Sequence, residues 1–366
     1  MINKYKKIVI KIGSSSIVNP KTKKINTKWM KKLCEDIKKY HKEKNIIIVC
    51  SGAIALGSPL LKSKNLRKLE DKQAAASVGQ IELAHEWKQH LKTHKIDIAQ
   101  ILITLEDSEV RRRYLNARKT INTLLQNKVI PVINENDTVA TEEIRYGDND
   151  RLAARVAQMI DADLLILLSD VDGLYDQNPN KNKNAKKINE IFKINKTIEQ
   201  MANTQTSSLG SGGMITKIAA AKICMNNGCD TIITHYEKTH PLSSISQSNS
   251  SIFFANKNPS SSRKQWLLNH LHSSGFIRID EGALQAVKNN KSLLPAGVVE
   301  VGGNFNRGDV ISVFFTKKEK IAIGISAYDI SEAKKIIGKK SKEIPHILGY
   351  EGRDEIIHKD DLVRII

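Results

Sequence analysis

Cysteine is scarce in this chain, and its placement is as informative as its number. The four cysteines, Cys34, Cys50, Cys224 and Cys229, are scattered and form no Cys-x-x-Cys pair. This spacing excludes a disulfide-built scaffold and a cysteine-ligated zinc site, and it is typical of proteins from a reducing compartment. We therefore predict a cytoplasmic location.

Long hydrophobic runs and aromatic residues are also few. No apolar stretch approaches the roughly 20 residues that a membrane-spanning helix needs. The N-terminal residues lead directly into an apolar strand pattern and lack a signal-peptide cleavage site. Aromatic residues make up 5% of the chain and hydrophobic residues 40%. We expect an aliphatic core and no membrane partner.

Acidic residues are outnumbered by basic ones, 39 to 58 among 366 residues, which gives a formal net charge of +19. Two interpretations remain open. The excess indicates either a polyanionic partner such as nucleic acid or a general Lys/Asn/Ile bias in composition. The lysines are spread along the whole chain, as in residues 181–184 and 288–291, and this favours compositional bias.

Apolar segments alternate with helical patterns up to about residue 235. The predicted strands are 7–12, 45–50, 98–103, 129–133, 164–168 and 231–234, and the clearest helical patterns are 27–41, 73–94 and 111–126. Strands separated by helices imply right-handed crossovers, and near-continuous apolar strands are typical of a sheet buried on both faces. We predict an α/β fold with a mostly parallel sheet sandwiched by helices.

The pattern changes in the C-terminal part. A Ser/Asn-rich stretch comes first, and short strands at 276–279, 297–301, 309–315 and 321–325 follow, punctuated by Gly, Asn and Pro. We predict an α/β domain at 1–238, a connecting segment at 239–274 and a small β-rich barrel at 275–366.

Polar residues are concentrated after the predicted strand 129–133. Asn134 and Asp137 follow it closely, and Asp148, Asn149 and Asp150 come one short loop later. Ligands of open α/β sheets bind beyond the carboxyl ends of strands. For each residue alone a role in a turn or helix cap is favoured, but the two clusters together favour a site for a ligand with an amine and carboxylates.

Two earlier strand ends have the composition of anion sites. Lys11 lies in the first strand and is followed by Gly13, and Ser51 follows the second strand at the start of a helix. A buried ammonium needs a counter-charge, and N–H groups at turns and helix N-termini bind phosphate or carboxylate. The alternatives are a lysine that reaches solvent from an edge strand and a serine that only caps a helix.

A glycine-rich segment precedes a helix that ends near residue 226. Its last residues are Ser211, Gly212, Gly213, Met214, Ile215, Thr216 and Lys217. The segment matches neither the Walker A nor the dinucleotide-binding pattern, but its glycines, threonine and lysine suit a triphosphate. Ser169 and Asp170 follow another strand and suit a nucleotide-holding turn or an ordinary Asp-Gly turn. Because histidine is absent from every motif, we predict catalysis by charge neutralisation rather than by a histidine base.

Taken in order, these motifs resemble the amino acid kinase family. The resemblance is carried by Lys-Ile-Gly-Ser at 11–14, Ser-Gly-Ala-Ile-Ala at 51–55, Tyr-Leu-Asn-Ala-Arg at 114–118, Pro-Val-Ile-Asn-Glu-Asn-Asp at 131–137, Gly-Asp-Asn-Asp at 147–150, Gly-Gly-Met-Ile-Thr-Lys at 212–217 and Ile-Leu-Gly-Tyr at 347–350. It extends over nearly the whole chain. The clusters at 134–137 and 147–150 are similar to the subfamily that acts on L-glutamate, and residues 292–297 and 303–309 resemble a PUA domain.

The resemblance implies an ATP-dependent kinase that converts the side-chain carboxylate of L-glutamate to L-glutamyl 5-phosphate, the first step of proline biosynthesis from glutamate. The implied catalytic residues are Lys11 and Lys217, which neutralise the phosphoryl group, and Asp150, which holds the two lysines. The implied glutamate-binding residues are Ser51, Asn134, Asp137, Asp148 and Asn149. The implied ATP-binding residues are Lys11, Gly13, Ser169, Asp170 and 211–217, with Mg²⁺ held mainly through the ATP phosphates and no protein metal site.

The resemblance also implies partners. It predicts a homo-oligomer (dimer or tetramer), proline as a feedback inhibitor and a glutamyl phosphate reductase as a partner enzyme. Two alternatives stay open: another kinase of the same fold that acts on a carboxylate, carbamate or nucleotide, and a protein whose main role is RNA binding through the PUA-like domain.

Overall fold

The chain forms two compact units, Met1–Pro259 and Ser260–Ile366, in the computed structural model. The structure describes residues 1–61, 68–140, 148–179, 181–203, 213–236, 239–255, 273–316 and 319–365. No helix within these ranges is long and apolar enough to cross a membrane.

The first unit alternates strands and helices as predicted. Its strands are β1 (Lys7–Ile12), β2 (Asn45–Cys50), β3 (Ile98–Ile103), β4 (Ile130–Glu135), β5 (Leu164–Ser169), β6 (Leu174–Tyr175), β7 (Lys187–Ile188), β8 (Glu190–Ile191), β9 (Asp230–His235) and β10 (Ser250–Phe253). Its helices are α1 (Ser14–Ile17), α2 (Thr27–His41), α3 (Ala53–Gly57), α4 (Leu69–Lys92), α5 (Leu105–Glu109), α6 (Arg111–Gln126), α7 (Asp148–Met159), α8 (Lys196–Asn203) and α9 (Met214–Asn226).

The main sheet of the described part has the strand order β3-β4-β2-β1-β5-β9-β10-β8. All pairs from β3 to β9 are parallel, β10 runs antiparallel to its neighbour β9, and β8 pairs parallel with β10. Strand β1 therefore lies inside the sheet, with β2, β4 and β3 on one side and β5 and β9 on the other. Because the strands on both sides of β1 are parallel to it, the carboxyl ends of β4, β2, β1 and β5 meet at one edge of the sheet.

Both faces of the sheet are buried, which explains the near-continuous apolar strands. On one face Ile8 and Ile10 of β1 pack with Leu33 of α2 and Trp87 of α4. On the other face alternate strand positions, such as Val9, pack with residues of α7 and α9. This alternation follows from the two-residue period of a strand, and the predicted α/β sandwich is confirmed.

The second unit contains a separate sheet with the order β12-β11-β13-β14-β15. Its strands are β11 (Gly275–Ile279), β12 (Val298–Gly303), β13 (Val310–Phe314), β14 (Lys320–Ile325) and β15 (Leu362–Arg364), and its helices are α10 (Glu281–Lys288), α11 (Ile330–Ile336) and α12 (Ile344–Leu348). Asp280 and Asp329 cap α10 and α11 by accepting backbone N–H groups, which fixes where these helices begin. The strands surround an apolar core that includes Phe305 and Tyr328.

The predicted connecting segment 239–274 differs from the structure in its first part. Residues 250–253 form β10, a strand of the main sheet that pairs with β9. The buried Asp36 of α2 anchors the preceding turn, because its carboxylate accepts hydrogen bonds from the backbone N–H groups of Leu242 and Ser243 at 2.8 and 3.1 Å. The Ser-rich composition concealed this strand, since Ser250 and Ser251 are buried by hydrogen bonding rather than by apolar packing.

Candidate active site

Lys11 occupies the central position of the sheet edge where the polar motifs meet. It lies in β1, with Val49 of β2 opposite on one side and Leu167 of β5 opposite on the other. Elements on the β2 side carry Ser51 and Asn134, and β5 ends at Ser169. Chain connections diverge to the two sides of β1, which is the topological switch point where open α/β sheets bind ligands.

Two lysines converge on one buried carboxylate. Lys11 Nζ lies 2.6 Å from Asp150 Oδ1, and Lys217 Nζ lies 3.2 Å from Asp150 Oδ2. The three residues come from β1, α9 and α7, and Asp150 is 1% exposed. The cluster holds one negative and two positive charges, so it keeps a net positive charge in a nearly dry environment.

The charge states of this cluster follow from burial and from mutual attraction. Burial alone would raise the pKa of Asp150, but attraction to Lys11 and then to Lys217 outweighs it, and the pKa lies well below its ordinary value. Burial lowers the pKa of Lys11, and repulsion from Lys217 acts in the same direction, whereas Asp150 opposes the shift. Asp150 is therefore an ionised anchor that positions two ammonium groups, not a proton donor.

The start of α9 adds a second source of positive potential. Gly213 is its N-cap residue and Met214 and Ile215 its first two helical residues. Thr216 Oγ1 lies 2.9 Å from Asp150 Oδ2, so α9 is tied to α7 at the same carboxylate that holds Lys217. Free N–H groups at a helix N-terminus favour an anion. The predicted residues Ser211 and Gly212 lie outside the described residues.

Gly13 lies close to the side chain of Lys11. It is the N-cap residue of α1, and a Cβ atom at this position would lie 3.8 Å from Lys11 Nζ. The glycine therefore leaves the space next to the ammonium group open to a ligand.

Amides and a hydroxyl form a connected group on the β2 side. Asn149 Nδ2 donates to Ser51 Oγ at 2.6 Å and to Asn134 Oδ1 at 3.5 Å. Asn149 precedes Asp150 in α7, so this group adjoins the lysine cluster along one helix turn. Gly52, with a φ of 117°, makes the tight turn that sets Ser51 at the end of β2.

The two remaining predicted glutamate-binding residues lie on either side of residues 141–147, which are outside the described ranges. Asp137 is buried directly after β4, in a turn that Gln73 of α4 holds by donating to the carbonyl of Ala140 at 3.1 Å. Asp148 is the first residue of α7, and its side chain lies outside the described residues. Their role in binding glutamate stays a prediction.

Ser169 and Asp170 lie at the end of β5, on the opposite side of Lys11. Ser169 is buried and its hydroxyl donates to Asp170 Oδ1 at 3.0 Å. Two polar groups of the site thus flank the lysine cluster, one after β2 and β4 and one after β5. This arrangement can hold two ligands with their reacting ends at Lys11 and Lys217.

Gln80 is the residue of this region that motif analysis did not predict. It lies in α4, and its Oε1 accepts a hydrogen bond from Asn134 Nδ2 at 2.6 Å. In the sequence it is an ordinary polar residue of a long helix. The signal that could have drawn attention to it is the preceding glycine, Gly79, inside that helix. Only the packing of α4 brings it to the carboxyl end of β4.

Comparison with known proteins assigns both units. A sequence model of the amino acid kinase family matches residues 6–235, and one of the PUA domain matches residues 275–348. The chain is 48% identical over 360 residues to a glutamate 5-kinase of Paramagnetospirillum magneticum, covering 98% of this chain and 97% of that protein. It is 49% identical over 362 residues to a glutamate 5-kinase of Bartonella henselae, covering 98% and 95%.

The solved structures agree at the level of fold. The crystal structure of a UMP kinase from Bacillus anthracis covers 69% of this chain and 97% of its own, with a TM-score of 0.51 and 14% identity. That likeness shows a common fold and no more. The family match and the full-length similarity together show that this chain belongs to the glutamate 5-kinase family of amino acid kinases and carries a C-terminal PUA domain.

Proposed function

We propose that this enzyme transfers the γ-phosphoryl group of ATP to the side-chain carboxylate of L-glutamate and forms L-glutamyl 5-phosphate, the first step of proline biosynthesis from glutamate. One observation carries the proposal: two buried lysines share one buried aspartate at the centre of a sheet edge, between two polar groups of residues.

The reaction needs no general base. A glutamate side chain has an ordinary pKa near 4.3, so it is an ionised nucleophile at neutral pH. One carboxylate oxygen attacks the γ-phosphorus, the bond from that phosphorus to the β–γ bridging oxygen breaks, and ADP leaves with the electron pair. The barrier is the approach of an anion to a polyanion, which positioning and positive charge lower.

The lysine cluster supplies that charge. Lys11 and Lys217 would contact the transferring phosphoryl group and the oxygens that lose and gain charge, and Asp150 keeps both ammonium groups in place. Mg²⁺ carried by the ATP phosphates would neutralise further negative charge when bound. Among the described residues there is no group of three or more His, Cys, Asp or Glu side chains that could hold a metal ion.

The two polar groups then divide the substrates between them. Ser51, Asn134, Asp137, Asp148 and Asn149 would bind glutamate, with acidic and amide oxygens available for its α-ammonium group. Ser169, Asp170 and the start of α9 would bind ATP, whose phosphates suit the helix N-terminus. Glutamate on the β2 side and ATP on the β5 side would both reach Lys11.

The decisive experiment measures ADP release from MgATP with L-glutamate, aspartate, N-acetylglutamate or UMP as acceptor, with hydroxylamine present to trap an acyl phosphate. We expect glutamate-dependent ADP and one hydroxamate per ADP. If ADP formed only with a different acceptor, the assignment of glutamate as the substrate would be wrong, although the assignment of the fold would stand.

A parallel titration with proline tests feedback inhibition, since proline shares the α-amino and α-carboxylate groups of glutamate. Size-exclusion chromatography tests the proposed dimer or tetramer, and pull-down tests the reductase partner.

Exposed lysines favour a second candidate function, RNA binding by the second unit. Lys334, Lys335, Lys339, Lys340 and Lys342 are all exposed within one stretch that contains no acidic residue between its ends. Clustered positive charge binds phosphate backbones.

Replacing Lys339, Lys340 and Lys342 with glutamine should weaken binding of a structured RNA and reduce the magnitude of the slope of log K against log salt by roughly 0.7–0.9 per lost contact. The matched control replaces Lys28, Lys31 and Lys38, exposed lysines of the α2 region. Equal losses in both variants would indicate non-specific attraction, and salt-independent binding would contradict the hypothesis.

A further inference from the structure

A chain of three amide side chains leads from α4 to the proposed glutamate side of the site. Gln80 Oε1 accepts from Asn134 Nδ2 at 2.6 Å. Asn134 Oδ1 accepts in turn from Asn149 Nδ2 at 3.5 Å, and the same Nδ2 donates to Ser51 Oγ at 2.6 Å. Asn134 therefore donates through its NH₂ group to Gln80 and accepts through its oxygen from Asn149, so the amides are linked in one direction.

The chain ends on an acceptor that has no hydrogen-bond partner among the residues that the structure describes. Asn149 Oδ1 is buried and accepts no hydrogen bond from them. A buried carbonyl oxygen without a donor costs free energy, and a bound ligand that donates to it would recover that cost. Its neighbour in sequence is Asp150, which holds both lysines.

The direction of the whole chain depends on Gln80. An amide presents a donor at one end and an acceptor at the other, so Asn134 can offer its oxygen to Asn149 only while its NH₂ group has an acceptor elsewhere. Gln80 Oε1 is that acceptor. If Asn134 were reversed, its NH₂ group would face the NH₂ group of Asn149, and Asn149 would reverse as well and present a donor in place of its free oxygen.

We propose that Gln80 is a positioning residue for substrate specificity: by accepting from Asn134 it keeps Asn149 Oδ1 available to accept a hydrogen bond from the α-ammonium group of glutamate. This inference rests on the proposed function and deepens it. Gln80 touches neither substrate, and it acts through Asn134 and Asn149.

Two glycines hold Gln80 at the required place. A Cβ atom at Gly79 would lie 1.9 Å from the carbonyl oxygen of Ala53, and one at Gly57 would lie 1.9 Å from that of Ala75. Helices α3 and α4 therefore cross in backbone contact, which no larger residue allows. Because α3 begins directly after Ser51 and Gly52, the crossing fixes Gln80 relative to the strand end that carries Ser51.

The test compares two dicarboxylates that differ only in the α-amino group. The KM for L-glutamate and the inhibition constant of glutarate are measured for the full-length enzyme, for Gln80→Met, which keeps the length but removes the acceptor, and for Gln80→Glu, which keeps acceptor oxygens. Gln89→Met is the matched control, because Gln89 is an exposed residue of the same helix that interacts with His85.

Gln80→Met should raise the KM for glutamate roughly tenfold, as expected for loss of one hydrogen bond to a charged group, and change glutarate inhibition less than about twofold. Gln80→Glu should keep or increase the preference for glutamate over glutarate, since the acceptor oxygens remain and the added negative charge attracts the α-ammonium group and repels the glutarate dianion. Gln89→Met should match wild type in both values.

The deciding quantity is the ratio of the KM for glutamate to the inhibition constant of glutarate. If this ratio in Gln80→Met equals that of wild type, the inference is overturned, whether both constants rise together or neither changes. If Gln80→Glu lost the preference for glutamate as Gln80→Met does, the inference would also be overturned, because an acceptor oxygen is still present in Gln80→Glu. Failure of the proposed function would be recognised separately, as wild-type enzyme that forms no hydroxamate with glutamate.

Discussion

Lys217→Ala should lower kcat for glutamate-dependent ADP formation by roughly 10²–10³-fold, the usual effect of removing one preorganised charge from a transition state. Lys217 is buried and shares Asp150 with Lys11. After its removal, Asp150 and Lys11 still form a neutral pair, so folding should change little while the phosphoryl group loses one of its two ammonium partners.

Lys222→Ala is the matched control for this variant. Lys222 lies in the same helix, α9, but it is exposed and pairs with Glu199 at 2.8 Å. Its loss should leave kcat unchanged and stability within the small range of a surface ion pair. Near-wild-type turnover in Lys217→Ala would contradict the proposed mechanism, and a large fall in melting temperature would show that Lys217 has a structural role as well.

Asp150→Asn should damage both stability and catalysis. The substitution leaves Lys11 and Lys217 as two buried ammonium groups without their shared counter-charge, and breaking a buried ion pair from one side costs about 3–5 kcal/mol of unfolding free energy. Turnover should fall by at least roughly 10²-fold, since the two lysines then repel each other and leave their working positions. Denaturant unfolding and steady-state kinetics measure the two effects.

The difference in unfolding free energy between wild type and Asp150→Asn should change with pH in a defined direction. The folded-state pKa of Asp150 is depressed, so its stabilisation is fully present above its ordinary pKa of about 3.9 and is lost as pH falls through the folded value. The gap in stability between wild type and Asp150→Asn should therefore narrow below about pH 4. In the variant Lys11 lacks its counter-charge, its pKa falls further, and the variant should gain stability as pH rises.

Asp161→Asn is the matched control, because it removes an ordinary exposed carboxylate rather than the buried one of Asp150. Asp161 is exposed and pairs at 2.6 Å with Arg118, which is partly buried. An ion pair that involves an exposed carboxylate contributes about 0–1 kcal/mol. Its stability difference should be small at every pH. If Asp150→Asn behaved in the same way, the buried cluster would not be the electrostatic anchor described above.

Several elements could be predicted closely from local sequence. The bounds of β1, β2, β3, α2 and α6 agree with their patterns, because long apolar or amphipathic segments bounded by polar residues define their own ends. Predicted α4 began four residues late and β4 was displaced, since helix and strand ends depend on neighbours as well as on pattern. Strand β10 was missed because its serines are buried by hydrogen bonds.

The sequence alone determined which chemical groups this protein has available. Lys11 stands out because it is a lysine within an apolar strand, Asp150 because it belongs to a dense polar cluster, and Lys217 because it follows a glycine-rich segment. The order of the motifs identifies the family. The sequence could not determine which groups meet. That Asp150 contacts both lysines, that Asn149 donates to Ser51, and that Gln80 accepts from Asn134 were decided by tertiary structure. These partners are 54 to 139 residues apart and come together through parallel strand pairing and the glycine crossing of α3 and α4, neither of which is encoded in any local segment.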